Sequence, residues 1–115
     1  MTIVDGFGPD LVLFDFDKSD ITPAGKAVID MVLADAARMG SVHISVTGHA
    51  DRAGSEAYNM ALSLRRADAV RKALIAGGIP ADAITVAGRG ESEPAVPTPD
   101  GVREQANRRV EIILQ

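Results

Sequence analysis

Short apolar runs of strand length alternate along this chain with stretches of helical period, and that order restricts it to a small set of mixed folds. Leu11 to Phe16 is the first run, ending on alternating acids in LVLFDFDKSD. Thr22-Pro23 then supplies an N-cap and a first-turn proline, and Ala24, Val28, Met31, Val32 and Ala36 recur at helical spacing over 22–39, up to Gly40. In SVHISVTG, Val42, Ile44 and Val46 alternate with His43, Ser45 and Thr47, the pattern of a strand buried on one side. The polar stretch GHADRAGSEAYNMALS reads as a long loop with room for a short helical turn. Ser63 is then the expected N-cap of a second helix over 63–77, with Leu62, Ala67, Val70 and Leu74 on its apolar side and Gly77-Gly78-Ile79-Pro80 as its stop. Ile84 to Gly88 is a third strand, RGESEPAVPTPDGVREQ is mostly loop, and RRVEIILQ closes the chain as a strand with Val110, Ile112 and Leu114 inward.

The resulting order, βαβαββ, predicts an α+β fold (an α/β sandwich) with helices packed on a mixed four-stranded sheet. Residues 1–10 read as an N-terminal tail or linker remnant and 11–115 as one domain, without internal repeats. If the first helix is a crossover between parallel strands, the carboxyl ends of strands 11–16 and 42–48 open at one edge of the sheet. Phe16, Asp17, Asp51 and Arg66 then become neighbours. A last strand antiparallel to the first brings Asn107-Arg108 to that edge as well.

Composition removes several functional classes. A net charge of −4 with scattered basic residues lacks the concentrated positive surface that nucleic acid requires. Three Phe, one Tyr and no Trp leave little platform for stacking on bases or sugars. The absence of cysteine removes disulfides and thiol chemistry and suits either redox compartment. No stretch approaches the ~20 apolar residues of a membrane-spanning helix. MTIVDGFGPD lacks the basic and apolar regions of a signal peptide, which leaves a cytoplasmic protein or a domain of a longer chain.

Asp15-x-Asp17 after an apolar strand raises one enzymatic alternative, a magnesium-dependent phosphatase of the haloacid-dehalogenase type, in which one carboxylate attacks phosphorus and the other moves the proton. That motif continues with Gly-Thr, whereas Lys18-Ser19 stands here, and the later acids include no pair placed to hold Mg²⁺. His43 and His49 lack the partners and spacing of a zinc site. His43 reads as a solvent-side strand residue, and His49, beside Asp51, as a hydrogen-bonded turn residue in preference to a catalytic base. The segment GRGESE leads into prolines and not into a helix, so it is a poor phosphate loop. No catalytic, metal or cofactor site is expected.

FDFDKSDITPAG, TGHADRAGSEAYNMALSLRRADAVRKAL, GRGESEPAVPTPDG and NRRVEI together resemble the OmpA-like peptidoglycan-binding domain, and the resemblance runs from Leu11 to Ile113. It implies noncatalytic capture of the diaminopimelate residue in the stem peptide of peptidoglycan, in the periplasm, as part of an outer-membrane or cell-envelope protein. It further implies that any membrane attachment belongs to a missing N-terminal region, and that the domain is a monomer or a dimer.

The same resemblance carries over site residues. Asp51 and Arg66 match the pair that would hold the ligand's ammonium and carboxylate, an assignment that suits an acid as acceptor and a guanidinium as bidentate donor. Placed in the first turn after Ser63, Arg66 would oppose the helix dipole until a ligand carboxylate arrived. Phe16 and Asp17 match a pocket-lining loop, Asn59 a loop brace or ligand contact, and Leu62 an apolar contact for the methylene chain. Arg108 matches the arginine that opens the last strand, with Arg109 directed to the opposite face. The spacer VREQA between Gly101 and Asn107 is longer than the family's usual form, and Val102 stands where many relatives have Arg.

Overall fold

A computed structural model describes residues 9–115; the expected tail over 1–8 lies outside the described residues. Strand β1 (Asp10–Leu13), helix α1 (Pro23–Met39), strand β2 (Ile44–Gly48), helix α2 (Glu56–Ala76), strand β3 (Ile84–Gly88) and strand β4 (Arg109–Leu114) follow in sequence, with single 3₁₀ turns at Ala81–Ala83 and Gln105–Asn107. The sheet order is β1-β4-β2-β3. Strand β4 is antiparallel to both β1 and β2, so those two run the same way on either side of it, and β3 pairs parallel with β2. The expected α+β sandwich, with two helices on a mixed four-stranded sheet, is the observed architecture.

Alternation within each strand sends one set of side chains under the helices. Val12, Phe14, Ile44, Val46, Val110 and Ile112 meet Ile29 and Val32 of α1 and Ala67, Val70 and Leu74 of α2 in one core. Helix α1 starts as its sequence predicts: Thr22 Oγ1 accepts from the Gly25 amide at 3.1 Å, and proline occupies the first turn. Its buried stripe, Gly25, Ile29, Val32 and Ala36, is rotated from the predicted one, leaving Met31 exposed. Gly25 decides the rotation, because its missing side chain is where Val12 packs; a Cβ there would lie 2.9 Å from Val12 Cγ1.

The second helix departs further from expectation. Ser55, not Ser63, is the N-cap, its hydroxyl accepting from the Tyr58 amide at 3.2 Å, so the residues read as a long loop form the first turns of α2. Ser63 lies inside the helix, fully buried, with its hydroxyl donating to the Met60 carbonyl at 2.7 Å and accepting from the Gly90 amide at 2.9 Å. A mid-helix serine is tolerated when its hydroxyl bonds back to the preceding turn in this way. The anion-favouring first turn expected beside Arg66 is therefore elsewhere, since Arg66 lies midway along α2.

Gly48 and Gly88, directly paired across β2 and β3, form the seat for Ser63. A Cβ on Gly48 would stand 1.9 Å from the Ser63 carbonyl oxygen, and one on Gly88 would stand 2.9 Å from its hydroxyl. The helix backbone thus rests on the bare end of β2, and the Leu64 and Ser63 side chains rest on that of β3.

On the sheet face away from the helices, His49 stands opposite Arg109, whose carbonyl accepts from the His49 amide at 2.8 Å. His49 is buried, yet neither ring nitrogen has a hydrogen-bond partner among the described residues; Glu111 is the nearest acid, at 3.7 Å. Burial lowers its pKa and Arg109 lowers it further; Glu111 and Glu93 act the other way, and Arg89 again lowers it. His43, as expected, is exposed, its ring sharing a hydrogen bond with Thr85.

Two stability predictions follow from this packing. Gly48→Ala must push α2 off the sheet, at a cost of about 3 kcal/mol, the upper end for overpacking, and a fall of roughly 10 °C or more in Tm. A melting temperature within a degree or so of wild type would contradict the close contact. His49 stays neutral in the folded state below its unfolded pKa, which lies near the ordinary imidazole value of about 6.5. The unfolded chain gains a proton first, so stability present above that pH is lost as pH falls, and the loss levels off below the depressed folded pKa. Urea unfolding between about pH 7.5 and 5 should show this slope flattened in His49→Gln; an unchanged slope would mean that His49 does not titrate between the two states.

Candidate functional site

The carboxyl ends of β1, β2 and β3 and the beginning of β4 share one edge of the sheet, a consequence of the strand directions. Three connections meet there: the turn over residues 14–18, the loop from His49 into α2, and the proline-bearing segment 89–108. Between them opens a cleft of about 220 Å³ lined by Phe16, Asp17, Asp51, Ala53, Gly54, Tyr58, Asn59 and Leu62. Two larger hollows lie elsewhere, about 400 Å³ between the C-terminal ends of the helices and about 390 Å³ beside β1 and the start of α1. Each contains a single carboxylate, Asp82 or Asp15, so the smaller cleft is where charged groups converge.

Asp51 is held from three directions. Its carboxylate accepts from the Ala53 amide at 3.2 Å, the Glu104 amide at 3.1 Å and Arg108 Nη1 at 2.9 Å. A carboxylate offers about four lone-pair positions, so one remains for a further donor. Asp51 is only 4% exposed, and that small surface faces the cleft. Asp17 adopts φ 57°, the left-handed region that aspartate tolerates better than most residues. Its carboxylate accepts the Tyr58 hydroxyl from across the cleft.

Arg66 is placed beneath this wall and does not line it. The residue is 0% exposed. Nε donates to the Lys18 carbonyl at 2.8 Å, Nη1 to the His49 carbonyl at 3.1 Å and Nη2 to the Asp15 carbonyl at 3.2 Å. The guanidinium carbon also lies 5.3 Å from the centroid of the Phe14 ring. Burial pushes the Arg66 pKa down to about 10, opposed by the field of Asp51 and assisted by that of Arg108; the group remains charged at neutral pH. Of its five N–H groups, three serve carbonyls, which leaves two uncommitted.

The remaining candidates divide into lining and bracing residues. Phe16 and Leu62 line the cleft. Asn59 lines it but spends its amide as a brace, donating to the Gly54 carbonyl at 3.1 Å and to Glu91 at 2.8 Å. Glu91 also takes Arg52 Nε at 3.1 Å, so one acid couples α2, the loop before it and the 89–108 segment. Arg108 supports Asp51 from behind and donates from Nε to the Phe14 carbonyl at 3.0 Å. Arg109 lies on the opposite face, as expected, paired with Glu111 at 2.8 Å.

Tyr58, Ala53 and Gly54 were not among the residues singled out from the sequence. The available signal was Ser55-Glu56, a cap followed by a first-turn acid, which starts the helix early enough to set Tyr58 one turn before Leu62. Asp15 and Asp17 line different cavities.

The OmpA family model matches residues 13–108. An outer membrane protein of Gluconacetobacter diazotrophicus is 41% identical over 110 residues, which cover 90% of this chain and 29% of that protein. Outer membrane protein A of Escherichia coli O157:H7 is 43% identical over 114 residues, covering 88% of this chain and 32% of its own length. The chain spans about a third of the length of these two relatives. Among solved structures, the peptidoglycan-associated lipoprotein from Burkholderia pseudomallei superposes with a TM-score of 0.83 at 28% identity, covering 92% of this chain and 90% of that one. The C-terminal domain of Helicobacter pylori MotB shares the fold, with a TM-score of 0.78 at 23% identity, covering 93% and 83%. A family match over most of the chain, relatives of this identity and the same sandwich in solved structures make the chain a member of the OmpA family.

Proposed function

We propose that this domain is a noncatalytic peptidoglycan-binding module that takes the free end of diaminopimelate from a stem peptide into the cleft and so anchors an outer-membrane or envelope protein to the cell wall in the periplasm. The observation that carries the reading is the Asp51 carboxylate, fixed by three donors with one acceptor position open at the wall of a cleft that also contains Asp17. Such a carboxylate is pre-organised for an ammonium and needs no rearrangement to receive it. Family membership, and the name of a solved relative as a peptidoglycan-associated lipoprotein, support the same partner.

In this reading Asp51 accepts from the ligand ammonium, with Asp17 adding charge from the opposite wall. Phe16 and Leu62 flank the methylene chain, and Asn59 keeps the loop in place. Arg66, fully buried beneath the cleft, supplies positive charge towards the ligand carboxylate from below. Arg108 is the second candidate for that carboxylate, because its side chain is 12% exposed whereas Arg66 is fully buried.

Wall retention of the domain without release of soluble fragments, and titration with stem peptides carrying diaminopimelate or lysine, test the reading directly. Equal affinity for the two peptides would end the diaminopimelate assignment. Asp51→Asn keeps an oxygen for the Ala53 or Glu104 amide but removes the charge, and should weaken binding by about 30-fold, or ~2 kcal/mol. Retention at the wild-type level in that variant would refute the role of Asp51.

Arg66→Lys preserves charge but cannot reach three carbonyls in three directions. It should lower Tm, and at temperatures where it is folded it should bind at least ~10-fold more weakly. With a ligand amidated at the carboxylate in question, the further loss in Arg66→Lys should shrink towards none. Losses that simply add would transfer the carboxylate to Arg108.

A further inference from the structure

The segment VREQA places a further guanidinium at the mouth of the cleft. Glu104 donates its amide to Asp51, so the preceding residue, Arg103, rises from the cleft wall itself. Its side chain crosses to the turn over 14–18 and lies flat on Phe16, with the guanidinium carbon 3.5 Å from the ring centroid. Both residues are exposed, and among the described residues Arg103 has no ion pair or side-chain hydrogen bond. Stacking occupies one face of the guanidinium and leaves its N–H edge free in the ring plane, where donors meet a carboxylate in bidentate fashion.

The charge pattern around the mouth suggests what Arg103 meets. Asp17 and Asp51 lie inside the cleft, and the cations Arg66 and Arg108 lie beneath it, engaged with carbonyls and with Asp51 and, in the reading above, facing the diaminopimelate carboxylate. Arg103 is therefore a cation displayed outwards beside an acid-lined cleft. A ligand that puts an ammonium against the acids and carries a carboxylate outside the cleft satisfies both. A stem peptide has that form: beyond the free end of diaminopimelate it bears carboxylates on the preceding isoglutamyl residue and at its own terminus.

We propose that Arg103, stacked on Phe16, is a specificity-determining residue that pairs with a second stem-peptide carboxylate outside the cleft, so that the domain discriminates free from amidated stems. The inference rests on the cleft being the diaminopimelate site. Arg65 provides an internal comparison. It is exposed and carries the same charge near the same mouth, but its guanidinium carbon is 5.7 Å from the Tyr58 ring centroid, a looser contact than the 3.5 Å of Arg103 on Phe16.

The test is calorimetric titration of the whole chain with a synthetic stem tetrapeptide in which isoglutamate precedes diaminopimelate and alanine follows. Two further peptides are amidated, one at the isoglutamyl carboxylate and one at the terminus. R103Q should bind the free peptide about 5-fold more weakly, with R65Q changed by less than about 2-fold. The R103Q loss should vanish with one of the two amidated peptides, which names the carboxylate, and should shrink as salt is raised. Wild-type affinity in R103Q, an equal loss in R65Q, or an R103Q loss undiminished by either amidation would each overturn the proposal. Asp51→Asn separates the two levels: binding lost there but kept in R103Q removes Arg103 alone, whereas binding indifferent to Asp51 removes the cleft reading and this inference together.

Discussion

A guanidinium with no exposed surface organises the functional end of this domain. Arg66 donates to carbonyls of Asp15, Lys18 and His49, which belong to the turn after β1 and the loop after β2. Burying a charge costs several kcal/mol unless it is fully engaged, so the two segments must bring their carbonyls to the same point for the chain to fold. The constraint runs both ways. Helix α2 cannot rotate or slide without withdrawing the donor, and neither loop can relax without leaving the cation unpaired.

The seat of α2 on the sheet makes that arrangement possible. With glycine at Gly48 the backbone at Ser63 comes down onto the end of β2, and with glycine at Gly88 the side chains of Ser63 and Leu64 close onto β3. Arg66, three residues further along the same buried stripe, is then carried close enough to the ends of β1 and β2 to reach three carbonyls. Strand β4, inserted between β1 and β2, delivers Arg108 from below to the Phe14 carbonyl and to Asp51. Two arginines thus fix two loops, and the cleft is the space left between the loops they fix.

Charge in the site is layered. Cations engaged with protein groups lie beneath, carboxylates line the cleft, and an unengaged cation stands at the mouth. Because Asp51 already receives three donors, the protein supplies most of the cost of orienting it before any ligand arrives. The bracing by Glu91, Asn59 and Arg52 extends that rigidity to the surrounding loops, so the proline-bearing segment forms part of the wall despite its lack of regular structure. Asn107 adds a further tie, exchanging two hydrogen bonds with the Val96 backbone at 2.8 and 2.7 Å.

Local features of the sequence determined the elements: Thr22-Pro23 starts α1, alternation in SVHISVTG and RRVEIILQ makes strands with known inner faces, and Gly40 and Gly77 stop the helices. The start of α2 was less legible because Ser55 and Ser63 are both competent caps, and the choice between them depends on Ser63 finding Gly90 just beyond the end of β3, a contact spanning 27 residues. The shared face of Asp51, Asp17 and Phe16 followed from strand direction, which connection length and handedness restrict. The burial of Arg66 did not follow, because nothing local distinguishes an arginine in water from one inside a ring of carbonyls. Its partners lie 17, 48 and 51 residues away, and whether the cation is buried is a balance between desolvation and hydrogen bonds that exists only once the tertiary structure has assembled those carbonyls.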